Sequence, residues 1–203
     1  HNGIIENYKA LKEMLIEHGH KFRSQTDSEV LAHLIEDFLY SASEGKKLSF
    51  KDRSQSLALG NSPAEDPVIQ AARAALKCVE GTFGLAVLHA ESGKIIAARR
   101  GSPLVIGVGE GEMFVASDVS AIVEHTKKVV YLGENELAVI DRESYKIIDF
   151  DGNHVSKEVK NVQWSLEQIE KAGHKFFMEK EIFEQPEAVR NNLRGRLKGD
   201  RIK

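Results

Sequence analysis

The chain has 203 residues, 41% of them hydrophobic and 29% charged, a balance that fits a soluble globular protein with a sizeable core. Its net charge of −3 comes from 28 basic and 31 acidic residues with no basic block or acidic tail, which gives no support to nucleic-acid or membrane-surface partners. The single cysteine, Cys78, excludes an internal disulfide and suits a reducing compartment; no apolar run approaches the about 18 residues of a membrane helix and no signal sequence opens the chain, so a cytoplasmic protein is expected.

The first residues, "HNGIIENY", place an Asn-Gly turn signal on the terminus, leading straight into a helix with no strand before it. Ile4, Tyr8, Leu11 and Leu15 recur at helical spacing, and Gly19 is a stop. Two readings of His1-Asn2-Gly3 stand side by side. One is a turn or helix entry, the commoner use of so short a motif. The other is an oxyanion hole, in which the Asn2 amide and the Gly3 backbone N–H point together at a developing negative oxygen, glycine letting a substrate come close to the backbone.

A second helix starts at the capping-box pattern Thr26-Asp27-Ser28-Glu29, carries the apolar stripe Leu31, Leu34, Ile35, Phe38 and Leu39, and should end near Gly45. Asp27 is either a plain helix-start carboxylate or a group that binds a substrate ammonium. His18, His20 and His33 raise the question of a metal site. His18 and His20 flank a helix stop, so their directions should diverge, and no Cys or carboxylate pattern completes a ligand set; no metal is expected.

Residues 41–65 are polar, with Ser, Gly and Pro and little periodicity, and read as a surface excursion. Asp66-Pro67 starts a third helix, a cap followed by a first-turn proline, lined by Ile69, Ala72, Leu76 and Val79 and closed by Gly81. Cys78 lies on or near its apolar face with no His close in sequence, the setting of a structural cysteine rather than a nucleophile.

From Gly81 the period becomes extended. "TFGLAVLHA", "IIAARR", "PLVIGV", "MFVASD", "VVYLG", "LAVID" and "YKIIDF" are short strands punctuated by turn dipeptides. The spacing leaves no room for crossover helices, so the sheet should be mostly antiparallel. Residues 121–123 suit a short helical turn. The Gly107-Val-Gly-Glu-Gly111 run and the Arg99-Arg100-Gly-Ser-Pro run read as hairpins, the first in preference to a phosphate loop, and the two arginines as solvated. Helices return at "WSLEQIEKAG" and at "FFMEKEIFEQ" before Pro186, and a basic tail follows. The order of helices, strand block and helices makes the chain α+β.

Taken together, "HNGIIENY", "SQTDSEVLAHLI", "RRGSPLVIGVGEGEMFVASDVSAIVEHT" and "FFMEKEIFEQPEAVRNNLRGR" closely resemble, in this order, the glutamine–fructose-6-phosphate aminotransferase family within the class II glutamine amidotransferases. The first two motifs are shared across class II and the last two are more specific. The resemblance covers nearly the whole chain apart from 41–65, which looks like an insertion. It implies a four-layer αββα N-terminal-nucleophile sandwich, with a partial glutaminase domain over residues 1–175 and, over 176–203, a connector toward a sugar-isomerising domain. It implies that Asn2 and Gly3 form the oxyanion hole, that Asp27 holds the α-amino group of L-glutamine with His1 adjacent, that no cofactor is needed, and that fructose 6-phosphate is the acceptor in a parent enzyme expected to be a homo-oligomer. The family's nucleophile is an N-terminal cysteine, whereas residue 1 here is His and Cys78 is mid-chain. The expectation is a piece of the enzyme without its N-terminal segment, inactive alone. The rival readings are another class II enzyme, such as an amidophosphoribosyltransferase, an asparagine synthetase or a glutamate synthase, and a non-enzymatic scaffold.

Overall fold

The strand-rich stretch folds as its period-2 pattern demands. The structure, a computed structural model, describes residues 1–44, 66–162, 174–193, 197–198 and 201–202. It divides into two units, residues 1–162 and 163–203.

In the first unit, β1 (Asn2–Ile5), β2 (Gly81–His89), β3 (Lys94–Arg100), β7 (Glu136–Ile140) and β8 (Tyr145–Asp149) make a five-stranded sheet in the order β1-β2-β3-β7-β8. A second sheet has the order β5-β4-β6-β9, from β4 (Val105–Val108), β5 (Met113–Ala116), β6 (Lys128–Tyr131) and β9 (Lys160–Asn161). Every pairing is antiparallel. Alternation along each strand sends its side chains to opposite faces. Ile96, Ala98, Leu137 and Val139 join the core beneath the helices, while Ala97, Ala138, Ile140 and Ile147 meet Ile106 and Val130 of the second sheet and Leu132 just after β6. All of β7 is buried because it is covered on both faces. The α+β class and the mostly antiparallel sheets are borne out.

Three helices close the outer face of the first sheet: α1 (Tyr8–Glu17), α2 (Asp27–Glu44) and α3 (Pro67–Cys78). The stripe of α2 is buried at Leu31, Leu34, Ile35 and Phe38. Asp66 caps α3 as its sequence demands, its carboxylate accepting from Val68 N–H at 3.1 Å. The Lys94 ammonium, 2.9 Å away, holds that carboxyl below its usual pKa.

Several expectations need correction. The chain does not run straight into a helix: residues 2–5 are a strand, Ile4 is exposed and Ile5 fully buried. Residues 41–44 belong to α2 rather than to the expected polar excursion; 45–65 lie outside the described residues, as does the helix expected over 164–173. The helical turn expected at 121–123 forms at Val119–Ala121, where the Asp118 side chain caps it through Ser120 N–H. Arg99 to Pro103 is not a hairpin but the passage from β3 in one sheet to β4 in the other. The Gly109–Glu112 turn is a hairpin, β4 to β5, closed by Gly109 N–H to Glu112 O at 3.0 Å.

In the second unit, α4 (Phe177–Leu193) passes through Pro186 instead of ending before it. Pro186 gives up one backbone N–H, and the good helix formers Glu187 and Ala188 with the Glu187–Arg190 pair carry the helix on. Within the basic tail, β10 (Leu197–Lys198) pairs antiparallel with β11 (Arg201–Ile202).

Asn7 joins the β1–α1 corner to the α3–β2 corner. Its Nδ2 donates to Cys78 O at 2.9 Å and its Oδ1 accepts from Glu80 N–H at 3.0 Å, beside the Glu6 N–H to Glu80 O bond. Asn7→Ala leaves two backbone groups without this partner, and should lower stability by about 1–2 kcal/mol in urea unfolding with an unchanged slope.

Candidate active site

β1 is the edge of its sheet, paired through Asn2↔Gly84, Gly3↔Phe83, Ile4↔Thr82 and Ile5↔Gly81. Gly3 has φ +136°, and a Cβ built on it would sit 2.1 Å from Thr82 O. Position 3 therefore needs glycine for its backbone conformation and for the close approach of β2, apart from any approach by a substrate. Asn2 is exposed, and among the described residues its side-chain amide has no hydrogen-bond partner in the protein.

Asp27, the first residue of α2, is turned onto this strand. Its Oδ2 accepts from Ile5 N–H at 2.9 Å, and its Oδ1 is 3.7 Å from His1 Nδ1. His1 Nδ1 also meets Ser28 Oγ at 2.9 Å. Asp27 is thus fastened to the Asn2-Gly3 strand through one oxygen, and its carboxylate sits at a helix N-terminus, where the dipole favours negative charge.

The turn that delivers Asp27 is held by Glu29. Its carboxylate accepts from the N–H groups of Arg23 and Ser24, both at 2.7 Å, and from the Ser24 hydroxyl. The Ser24 hydroxyl and the Arg23 N–H, foremost among these bonds, hold its pKa down at about 2, so it is charged throughout the neutral range. The capping-box glutamate therefore reaches past Thr26 to residues 23 and 24.

The structure brings His1, Asn2, Gly3 and Asp27 to one edge, and other residues weighed in the sequence go elsewhere. Cys78 ends α3, partly buried against the core, with its Sγ 3.4 Å from Ala74 O. Arg99 and Arg100 are not solvated turn residues. Arg99 donates to Leu132 O and to Glu134, and Arg100 to Val79 O, Leu76 O and Asn135 Oδ1. The Arg100 guanidinium lies 5.2 and 5.3 Å from the ring centres of Phe83 and Phe150, a structural clamp on the end of α3. His18 and His20 do not diverge: both meet Asp37, at 3.0 and 3.1 Å. What sequence reasoning missed is the Ile5–Asp27 link, which spans 22 positions and leaves no short-range pattern.

A family profile described as a glutamine amidotransferase domain matches residues 1–51. The glutamine–fructose-6-phosphate aminotransferase (isomerising) of Chlorobaculum tepidum is 48% identical over 98% of this chain, and that of Methanosarcina mazei 43% identical over 97%. The chain spans 29% of the length of each of these curated relatives. Among solved structures, the glutamine phosphoribosylpyrophosphate amidotransferase of B. subtilis, in complex with ADP and GMP, aligns over 75% of this chain and 29% of its own at 25% identity, with a TM-score of 0.51. An allosteric regulatory enzyme of purine biosynthesis aligns over 73% of this chain and 27% of its own, also at 25% identity, with a TM-score of 0.52. Among the described residues, no helix is long and apolar enough to cross a membrane.

Proposed function

This chain belongs to the glutamine amidotransferase family of those aminotransferase relatives, and on that premise we propose that it is the ammonia-supplying, glutaminase part of an enzyme that makes glucosamine 6-phosphate and glutamate from fructose 6-phosphate and glutamine. The observation that carries the reading is the fastening of Asp27 to the Asn2-Gly3 strand through Ile5 N–H. It brings the Asp27 carboxylate, the Asn2 amide and the Gly3 N–H to one sheet edge, which supports their reading as an anion for an ammonium and two donors for an oxyanion.

In this reading, Asp27 Oδ1 takes the α-ammonium of glutamine, which sets the side-chain carbonyl against β1. A thiolate adds to the carbonyl carbon, and the oxygen takes up the negative charge. Asn2 Nδ2–H and Gly3 N–H stabilise that oxygen, whose charge is greatest in the transition state. The C–N bond then breaks, ammonia leaves with a proton and passes to the acceptor, and water hydrolyses the thioester to glutamate and free thiol. Cys78 is unsuited to the attack, because it is held at the end of α3 and carries no α-amine of its own. In this reading the attacking thiol is not Cys78. His1 lies beside Asp27, its Nδ1 3.7 Å from Oδ1.

The test uses the full-length protein that carries this chain. Asp27→Asn keeps an oxygen for Ile5 N–H but loses the charge that meets the ammonium. A charge-assisted bond contributes about 1.5–3 kcal/mol, so KM for glutamine should rise about 10- to 100-fold with a smaller change in kcat. An unchanged KM removes Asp27 from the site and the reading with it.

A further inference from the structure

The turn after α1 and the exposed side of α2 bring together a second set of groups that the glutaminase reading does not use. His20 Nδ1 lies 3.1 Å from His33 Nδ1 and 3.3 Å from Glu36 Oε2, and His33 Nδ1 lies 3.2 Å from the same Oε2. Three donor atoms of the kinds that bind transition metals thus form a nearly equilateral triangle. A tetrahedral ion with bonds of about 2.0–2.1 Å spaces its ligand atoms about 3.3 Å apart, so the triangle matches three corners of such a site.

The far sides of the rings supply an independent observation. A histidine that ligates through Nδ1 must carry its proton on Nε2, and metal-bound imidazoles give that proton to a carboxylate or carbonyl. His20 Nε2 lies 3.1 Å from Asp37 Oδ1, and His33 Nε2 faces Glu29 Oε1 at 3.6 Å. Both carboxylates are themselves held, Asp37 by His18 Nδ1 at 3.0 Å and Glu29 by Arg23 and Ser24. The two rings are mostly buried and Phe22 packs edge-on against His33, while the Glu36 side chain is 47% exposed and leaves a way in from solvent.

We propose that His20, His33 and Glu36 bind one zinc-like divalent cation, which staples the turn after α1 to α2 and so fixes the segment leading to Asp27. Two imidazoles and one carboxylate suit Zn²⁺, with water at the fourth corner. The site is structural and takes no part in the attack on glutamine.

The test strips the full-length protein with a chelator, then titrates it with Zn²⁺ by calorimetry and with Co²⁺ as a spectroscopic probe of tetrahedral coordination. The same titrations are run on Glu36→Gln, His33→Ala and Asp37→Asn. The expected result is one ion more per chain in the parent than in His33→Ala or Glu36→Gln, with affinity at that site down by at least about 100-fold, more than the about 10- to 100-fold that loss of the outer carboxylate in Asp37→Asn should give. Glu36 is half exposed, so Glu36→Gln retains its circular dichroism spectrum and decides the matter even if His33→Ala fails to fold. Equal stoichiometry and affinity in the parent and Glu36→Gln overturn the proposal, as does a parent that takes up neither metal at millimolar concentration.

Discussion

Asn2→Ala in the full-length protein should lower glutamine hydrolysis about 100- to 1000-fold, and at least about tenfold, while glutamine still binds. The size follows from what the group would do. A neutral amide gains little from the ground-state carbonyl, but a donor already aimed at the oxyanion gains most when that oxygen carries its full charge, so its removal falls on kcat. The fold should scarcely notice. Asn2 is exposed on an edge strand, its pairing with Gly84 is through the backbone, and its side chain has no partner among the described residues. Surface changes of that kind stay within about 0.5 kcal/mol. The measurement is single-turnover glutamate release beside a binding titration with glutamine. A variant that keeps its turnover takes Asn2 out of the oxyanion hole, whatever happens to the rest of the site.

Much of this molecule is legible in the sequence where local pattern and tertiary outcome agree. The strand runs from Thr82 to Phe150 stand because apolar residues alternate between two real interiors. The start of α3 stands because Asp66-Pro67 satisfies the first turn by itself. The failures share a cause in partners far away along the chain. β1 is four residues long and becomes a strand only by pairing with β2, some eighty positions on, so its Ile4 could be mistaken for the start of the helical series that Leu11 and Leu15 do form. Turn grammar predicts a reversal at Gly101 but not that the chain changes sheets there. His18 and His20 were expected to point apart because a helix stops between them. Gly19, at φ +96°, instead folds the chain back so that both rings face Asp37 of α2. Asn2 and Asp27 are visible as candidates in the sequence, whereas the bond that puts them on one edge is not.

Gly3→Ala should be one of the most damaging added methyl groups among the described residues. Its Cβ would lie 2.1 Å from Thr82 O, 2.8 Å from Thr82 C and 2.9 Å from Phe83 Cα, all backbone atoms that cannot swing aside as a side chain can. The φ of +136° adds strain of about 1–3 kcal/mol for any residue with a Cβ. Relief requires β1 to move off β2, yet the strand is pinned beyond Gly3 by Ile5 N–H on Asp27 and Glu6 N–H on Glu80 O. A loss of about 3 kcal/mol or more is expected, with faster hydrogen exchange at the amides of β1 and β2 and a fall in glutaminase activity as Asn2 and Asp27 separate. Gly93→Ala is the control. Gly93 also has a positive φ, +66°, but a Cβ there meets nothing within 4 Å, so strain alone should lower stability by about 1 kcal/mol. If the two variants lose stability equally and β1–β2 exchange is unchanged in Gly3→Ala, close approach of the strands is not what demands glycine at position 3.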